Sequence, residues 1–362
     1  MIKMANSNYS MTILLYAVTN LLAIIYFRNF FRETLFLDDI FNNLEFFIFI
    51  FILSFLFAIL IHELGHLVFG NLVHFKLIQM NIWFIAFKRN VSLNKFQLFI
   101  NKSKLFSFNG STYMSPSDMD YFSVRQYFFL SGGIIFNFLS SIFIFAIMAY
   151  PDLPRTIWES LVIFSYISLS LAILNALPIN TGESILDGRK IYNIHSNEQF
   201  RYCLRIDGLN ALGIRPKEWP NQIPFNSFDS SYKSEYDFYL KIFEMQSLLD
   251  QKEYSFFQKS LDDLITSFTK ASVQIQGSIL LLGAIYYAFC VNQIDNSIKC
   301  LEVGKKNFKL NSLSRSLLAI IDSKIANKKE EFDYNLQILL ELLNDNNMVG
   351  SKKFYENVLI FQ

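Results

Sequence analysis

The sequence lacks the features of a disulfide-bonded secreted protein and of a nucleic-acid-binding protein. Only three of its 362 residues are cysteines, and they are scattered without metal-ligand spacing, at Cys203, Cys290 and Cys300. They predict reduced thiols in packed positions rather than a disulfide framework. The formal net charge is only +1. We therefore expect no basic surface and no nucleic-acid partner.

Apolar residues, by contrast, are abundant. Hydrophobic residues form 52% of the chain, aromatic residues form 17%, and 40 residues are phenylalanine. A soluble domain rarely carries so much apolar surface, so the composition predicts a membrane protein. Four apolar segments are predicted to span the membrane, namely residues 12–27, 45–70, 127–148 and 157–177.

The first apolar segment, residues 12–27, also has the character of a signal peptide. No convincing small-residue cleavage site follows it, so the sequence favours a retained anchor. We expect an α-helical polytopic membrane protein with about four transmembrane helices. Its predicted parts are an N-terminal anchor and connection (1–44), a membrane core (45–190), a linker region (191–232) and a C-terminal all-α helical domain (233–362).

The second apolar segment ends in a short motif of polar residues, His62-Glu63-Leu64-Gly65-His66. Two histidines four positions apart lie on one face of a helix, so both imidazoles can bind one metal ion. The carboxylate of Glu63 can then take a proton from a water molecule activated by that metal. The alternative is a set of polar groups satisfied inside a helical bundle. Burial of these groups is costly unless they are paired or bind metal, which favours the metal site.

A catalytic zinc ion usually has three protein ligands and one open position, so a third ligand is expected. The other histidines, His74 and His195, do not have the local spacing of a histidine-only site. A carboxylate is therefore the expected ligand. Asp187 is the better candidate because Gly188 permits a sharp turn after it, and Glu183 is the competing candidate.

Residues 75–110 alternate imperfectly between apolar and polar positions, with turn-like breaks at 88–90 and 101–103. This pattern predicts two or three short strands close to the membrane. They form either an ordinary surface hairpin or a sheet edge that pairs with an extended substrate segment by strand addition.

The C-terminal part of the chain shows a weak internal repeat. Leu281-Leu282 with Ile285 recurs as Leu317-Leu318 with Ile321, a shift of 36 residues. Each copy precedes a polar break and a second amphipathic helix, which predicts a tetratricopeptide-like array. A plain helical bundle is the alternative. Before this domain, three prolines interrupt any long element and indicate the linker, at Pro216, Pro220 and Pro224.

The distribution of basic residues predicts the orientation in the cell membrane. Loop 71–126 is rich in lysine and arginine, with Lys76, Lys88, Arg89, Lys95, Lys102, Lys104 and Arg125. The opposite side carries only Arg28, Arg32 and Arg155. Because positively charged loops stay in the cytoplasm, this loop and the C-terminal domain are predicted to be cytoplasmic.

Together these motifs resemble the site-2 protease family of intramembrane zinc metallopeptidases. The resemblance rests on the His62–His66 motif in an apolar helix, on Ser-Gly-Gly-Ile-Ile-Phe-Asn at 131–137, and on Asn175, Pro178 and Asp187-Gly188 after a further span. It covers roughly residues 45–190 and is closest in kind to bacterial members without a PDZ module. The spacing from Pro178 to Asp187 is longer here than is common in the family, with residues 180–183 inserted.

The resemblance implies one Zn²⁺ per chain, held by His62, His66 and Asp187, with Glu63 as general base and acid. It also implies that Asn137 and Asn175 are supporting polar groups that bind substrate. The expected activity is hydrolysis of peptide bonds in membrane-embedded or signal-peptide-like substrates, in regulated intramembrane proteolysis or peptide-precursor processing. The C-terminal array would then screen substrates or bind a protein partner.

Two other functions fit parts of the same sequence. A membrane zinc protease with a solvent-exposed site would use Glu183 as its third ligand. A non-catalytic membrane scaffold or sensor would use the C-terminal array to bind a partner, and its histidines would be structural. The intact metal-binding motif argues against the scaffold because a scaffold does not need it.

Overall fold

The computed structural model describes residues 44–90, 95–100, 110–116, 122–149, 153–179, 185–221, 223, 225, 232–305, 312–345 and 348–360. The chain divides into two compact units, with the boundary between Asn197 and Glu198. The predicted first span, residues 12–27, lies outside the described residues, as does Glu183.

The first unit combines long helices with a small sheet. Its helices are α1 (Leu44–Leu72), α2 (Phe122–Met148), α3 (Arg155–Ala176) and α4 (Asp187–Ser196). Its strands, all between α1 and α2, are β1 (Phe75–Ile82), β2 (Ile85–Asn90), β3 (Lys95–Ile100) and β4 (Gly110–Pro116). The prediction of two or three strands in 75–110 is confirmed by β1, β2 and β3, and β4 follows from Gly110 onward.

The three long helices of this unit match the length of a bilayer core. They have 29, 27 and 22 residues, and a span of about 20 residues covers the roughly 30 Å of hydrocarbon. Proline sets both ends of α3: Pro154 immediately precedes its first residue, and Leu177, which lies before Pro178, is already extended. Many of their apolar side chains point outward and remain exposed, including Phe49, Phe57 and Phe143.

Four helices in the described part of the chain are long and apolar enough to cross a membrane, judged by length and composition: Ile48–Leu72, Val124–Met148, Thr156–Ala176 and Val273–Cys290. The fourth differs from the other three because 61% of it is buried within the protein, against 28–33% for the others. Its side chains form part of the core of the second unit.

The sheet is antiparallel throughout, in the order β3-β2-β1-β4. β1 starts just after α1 ends, and the chain reverses at His74, whose φ is 60°. β4 lies along α1, where the Thr112 hydroxyl donates a hydrogen bond to the Glu63 carbonyl at 3.3 Å. The β4 end of the sheet is thus held beside the histidine motif.

The second unit is entirely helical in the residues that the structure describes. Its helices are α5 (Glu198–Ala211), α6 (Glu235–Asp250), α7 (Tyr254–Thr266), α8 (Val273–Ile285), α9 (Ile294–Lys305), α10 (Ser312–Ile325), α11 (Lys329–Asp345) and α12 (Val349–Leu359). A π-helical turn, Tyr286–Cys290, extends α8, and short 3₁₀ helices lie at Pro216–Asn221 and Phe268–Lys270.

Much of the predicted linker, residues 191–232, is helical and packed. Residues 198–211 form α5, and the prolines at 216 and 220 lie in a 3₁₀ helix instead of a flexible connection. Trp219 explains the difference, because it is fully buried and donates from Nε1 to the Ile214 carbonyl at 3.2 Å. Burial of this large side chain stabilises a segment whose prolines alone favour a loop.

The 36-residue repeat corresponds to equivalent faces of α8 and α10. Leu281, Leu282 and Ile285 are buried in the same core as Leu317-Leu318 and Ile321. In each case a second helix follows, α9 or α11. The C-terminal helical region is therefore present, and its membership in the tetratricopeptide class stays a prediction.

The last helix of this unit packs back against its first. The Asn210 side chain accepts a hydrogen bond from the Ser351 backbone N–H at 2.7 Å and donates to the Ser351 hydroxyl at 2.9 Å. Nearby, the fully buried Asp250 carboxylate is paired with Arg215 and accepts from Asn357 at 3.1 Å. These contacts join distant parts of the sequence into one unit.

Candidate metal site

The predicted motif residues lie in the last third of α1. His62 and His66 are both buried, and their rings meet edge to face with centroids 4.8 Å apart. Their Nε2 atoms are 3.2 Å apart, as expected for residues one helical turn apart on one face. Two potential ligands therefore converge on one point inside an apolar helix.

Asp187 completes this cluster. Its Oδ2 lies 3.1 Å from the Nε2 atom of His62 and 3.0 Å from that of His66. Within the described residues, these three form the one group of histidine, cysteine and acidic side chains with suitable spacing for a metal ion. Asp187 is the first residue of α4, so the rest of that helix holds it in place.

Gly188 acts differently from the sequence-based expectation of a sharp turn. It lies in the first turn of α4, and its lack of a side chain allows close approach to α3. A Cβ atom at this position would collide with the carbonyl of Ala176. Gly188 thus lets the start of α4 pack against the end of α3. This packing places Asp187 beside the two histidines.

Glycines also shape the α1–α2 contact beside the cluster. A Cβ on Gly65 would collide with the backbone of Gly132, and a Cβ on Gly132 would collide with that of Gly65. One position further, a Cβ on Gly133 would lie 2.7 Å from the Nε2 atoms of both His62 and His66. The missing side chain at Gly133 therefore keeps open the space that the two ligand nitrogens face.

The separations of the three ligand atoms fit a tetrahedral metal ion. Bonds of about 2.0 Å at tetrahedral angles place neighbouring ligand atoms about 3.3 Å apart. The observed separations are 3.0, 3.1 and 3.2 Å. Two imidazole nitrogens and one carboxylate oxygen are also the donor types that zinc accepts.

The hydrogen bonding of His66 supports the same conclusion. Its Nδ1 donates to the Phe129 carbonyl at 2.8 Å, because a carbonyl can only accept. In the neutral ring, Nε2 then presents a lone pair to the Asp187 carboxylate and to His62. Such atoms repel one another at about 3 Å unless a cation lies between them. A shared proton could bridge only one pair of these atoms, whereas a metal ion can bind the two Nε2 atoms and Asp187 Oδ2 together.

Lys190 supports Asp187 from the other side. Its Nζ lies 3.1 Å from Asp187 Oδ1, which leaves Oδ2 directed at the histidines. Burial opposes ionisation of this carboxyl, but Lys190 and the histidines outweigh burial and hold the pKa of Asp187 well below its usual value. Asp187 is therefore a carboxylate, the form that a metal ion requires.

Glu63 lies beside the cluster, and its carboxylate is only partly satisfied. The side chain is buried, and its Oε2 has no hydrogen-bond partner among the described residues. Its Oε1 packs against the backbone of Gly110, where a Cβ would displace it. A buried carboxylate oxygen without a partner costs free energy of folding, which is a common property of catalytic groups.

The two predicted substrate-binding asparagines are placed differently. Asn137 is fully buried, with its side-chain amide 3.4 Å from His62 Nδ1, on the ring edge away from the cluster. Asn175 is half-buried near the end of α3 and donates to the Leu171 carbonyl of its own helix at 3.0 Å. The substrate role of both stays a prediction. The remaining histidines, His74 and His195, are exposed and lie outside the cluster.

Several supporting groups were not identified from the sequence. The Phe129 carbonyl could not be identified from the sequence, because every residue has a backbone carbonyl. Lys190 follows Asp187 by three positions, a spacing that places side chains together on a helix, so its pairing with Asp187 could have been predicted.

Comparisons of this chain with protein-family models, with curated proteins and with solved structures found no match.

Proposed function

We propose that this protein is an intramembrane zinc metalloprotease. The observation that carries the proposal is the combination of the His62, His66 and Asp187 cluster with the partly unpaired Glu63 carboxylate, all buried among apolar helices. A scaffold needs neither a three-ligand cluster nor a neighbouring carboxylate oxygen that lacks a partner. The resemblance to site-2 proteases supports the same assignment.

The mechanism assigns separate roles to the residues of the site. When bound, zinc supplies a Lewis acid that polarises a carbonyl group and acidifies water. His62, His66 and Asp187 would hold it, and Lys190 keeps the second oxygen of Asp187 occupied. Glu63 takes the proton of the attacking water at Oε2 and returns it to the leaving amine, since that oxygen has no competing partner.

The setting of the site favours substrates that lie in or at the membrane. Three long helices surround it with outward-facing apolar side chains, and the histidines lie in the last third of α1. We therefore assign the protein to the cell membrane as a multi-pass protein. The basic loop 71–126 favours a cytoplasmic C-terminal unit, and we propose that this unit binds a protein partner. The substrate is a transmembrane or signal-peptide-like segment that must unwind locally before its peptide bonds become accessible.

The sheet offers a way to hold an unwound substrate. β4 pairs with β1 on one side, and within the described residues no strand pairs with its other side. This strand touches Glu63 through Gly110 and Thr112. The opposite edge of the sheet, β3, is fully exposed but has no such contact with Glu63. An extended substrate added to β4 would thus lie beside the general base.

The direct test compares Glu63→Gln with the wild-type protein in reconstituted vesicles. Purified full-length protein is mixed with single-span and signal-peptide-like test peptides, and the products are identified by mass spectrometry. Loss of a general base costs about 10²- to 10⁴-fold in rate, and zinc content should not change. Glu45→Gln serves as the matched control, because Glu45 lies on the same helix in an exposed position.

The possible outcomes separate the candidate functions. Cleavage by the wild type and by Glu45→Gln, but not by Glu63→Gln, supports the protease. Equal cleavage by the wild type and Glu63→Gln would reject Glu63 as the general base. A wild-type protein that holds no zinc and cleaves no member of the peptide set would favour the scaffold.

A further inference from the structure

Asn137 lies behind one of the two metal-binding histidines. It is located on α2, is 0% exposed, and its amide is 3.4 Å from His62 Nδ1. The other ring nitrogen, Nε2, faces Asp187 and His66. Asn137 therefore contacts the edge of the imidazole opposite the cluster. A substrate bound at the cluster lies on the other side of that ring.

The tautomer of His62 depends on this contact. For Nε2 to offer a lone pair to a metal ion, Nδ1 must carry the hydrogen and needs an acceptor. Asn137 Nδ2 stands nearest to Nδ1. A 180° rotation of the amide exchanges its nitrogen with its oxygen at almost no steric cost. With the oxygen toward His62, Nδ1–H gains an acceptor and Nε2 is free to bind metal.

A pair of serines gives the Asn137 amide a hydrogen-bond partner in either orientation. Ser168 Oγ is 3.1 Å from the Asn137 backbone carbonyl oxygen and 3.3 Å from the Asn137 side-chain Oδ1. It is also 2.8 Å from Ser140 Oγ. If the amide oxygen faces Ser168, it accepts from the Ser168 hydroxyl while Ser140 donates to the Asn137 backbone carbonyl at 2.9 Å, and the amide nitrogen then requires a His62 Nδ1 without a hydrogen. If the amide nitrogen faces Ser168, the Ser168 hydroxyl accepts from it and donates to the Asn137 backbone carbonyl, and the amide oxygen accepts from His62 Nδ1–H.

We propose that Asn137, with Ser168 as the acceptor for its amide nitrogen, is a positioning residue that holds His62 in its metal-binding tautomer. This inference rests on the proposed zinc site. It assigns Asn137 to the support of His62 as a zinc ligand instead of the substrate contact that the resemblance implies. α2 then supports both histidines from behind, since the Phe129 carbonyl on the same helix accepts from His66 Nδ1. Such supporting partners fix ring orientation and raise the basicity of the ligand.

The test measures zinc affinity of the full-length protein in detergent by competition with a chelator of known affinity. Asn137→Leu keeps the approximate volume but removes the acceptor, and we expect affinity to fall about 10- to 100-fold. Asn137→Asp restores an acceptor for Nδ1–H and should recover most of that loss. Ser168→Ala removes the acceptor for the amide nitrogen and should weaken zinc binding by a smaller factor.

The chain provides a matched control for the serine variant. Ser165 lies on the same helix as Ser168, one turn away, and is equally buried. Its hydroxyl bonds with Ser141 Oγ at 2.8 Å, outside the Asn137 contact. Ser165→Ala therefore removes a comparable buried hydrogen bond at the α2–α3 interface. We expect it to leave zinc affinity unchanged.

Each outcome of these zinc-affinity measurements either supports or overturns the positioning role of Asn137. Weaker zinc binding in Asn137→Leu and Ser168→Ala, with recovery in Asn137→Asp and none of the loss in Ser165→Ala, supports the positioning role. Equal losses in Ser168→Ala and Ser165→Ala would show a general packing effect and overturn it. Unchanged affinity in Asn137→Leu would overturn it while leaving the zinc site intact. A wild-type protein without zinc would reject the proposed function as well.

Discussion

Gly133→Ala should remove metal binding although it changes no ligand. The added methyl group would lie 2.7 Å from the Nε2 atoms of His62 and His66 and 2.6 Å from His62 Cε1. Ordinary van der Waals contact begins near 3.4 Å. The rings must therefore move by about 0.7 Å, whereas metal–ligand distances tolerate only about 0.2 Å. We expect zinc affinity to fall at least about 100-fold, or about 2.8 kcal/mol of binding free energy.

The assay for this variant is chelator competition on the purified protein, together with thermal unfolding after zinc removal. Alanine has a higher helix propensity than glycine by about 1 kcal/mol, so helix propensity cannot explain a loss. Ser131→Ala is the control, because Ser131 lies on the same helix and only bonds to the Phe128 carbonyl. Wild-type zinc affinity in Gly133→Ala would show that the two Nε2 atoms do not face a metal ion.

Three further substitutions test separate parts of the structure. Lys190→Met removes the partner of Asp187 Oδ1, and zinc affinity measured by chelator competition should fall about 10-fold. Gly188→Val places a side chain against the Ala176 carbonyl, so zinc content measured by atomic absorption should drop although every ligand remains. Asp250→Ala leaves a buried network without its carboxylate, and chemical unfolding should show a loss of about 3 kcal/mol. Unchanged values in any of these assays would contradict the corresponding contact.

Local patterns in the sequence were sufficient to locate much of the candidate site. The spacing of His62 and His66 depends only on helix geometry, and their position in a long apolar run follows from composition. The sequence favoured Asp187 over Glu183 only through the sharp turn expected at Gly188, whereas Gly188 lies in the first turn of a helix. The position of Asp187 depends on how α4 packs against α3, a contact between elements that local periodicity does not encode.

The role of Asn137 was also beyond local patterns. The sequence shows a polar residue in an apolar helix, which predicts a buried hydrogen bond but not its partner 75 residues away. Residues 198–221 are a second segment whose structure local sequence patterns did not predict. Their prolines favour a loop, whereas burial of Trp219 stabilises a packed segment. In both cases tertiary contacts determine the outcome.

The most direct test of the central claim is the zinc content of purified protein prepared without chelators. The account predicts a single zinc ion per wild-type chain, its loss in Asp187→Ala, and its retention in Glu183→Ala. Retention of zinc in Asp187→Ala would contradict the three-ligand site that the structure supports. Absence of zinc from the wild-type protein would contradict the metalloprotease itself.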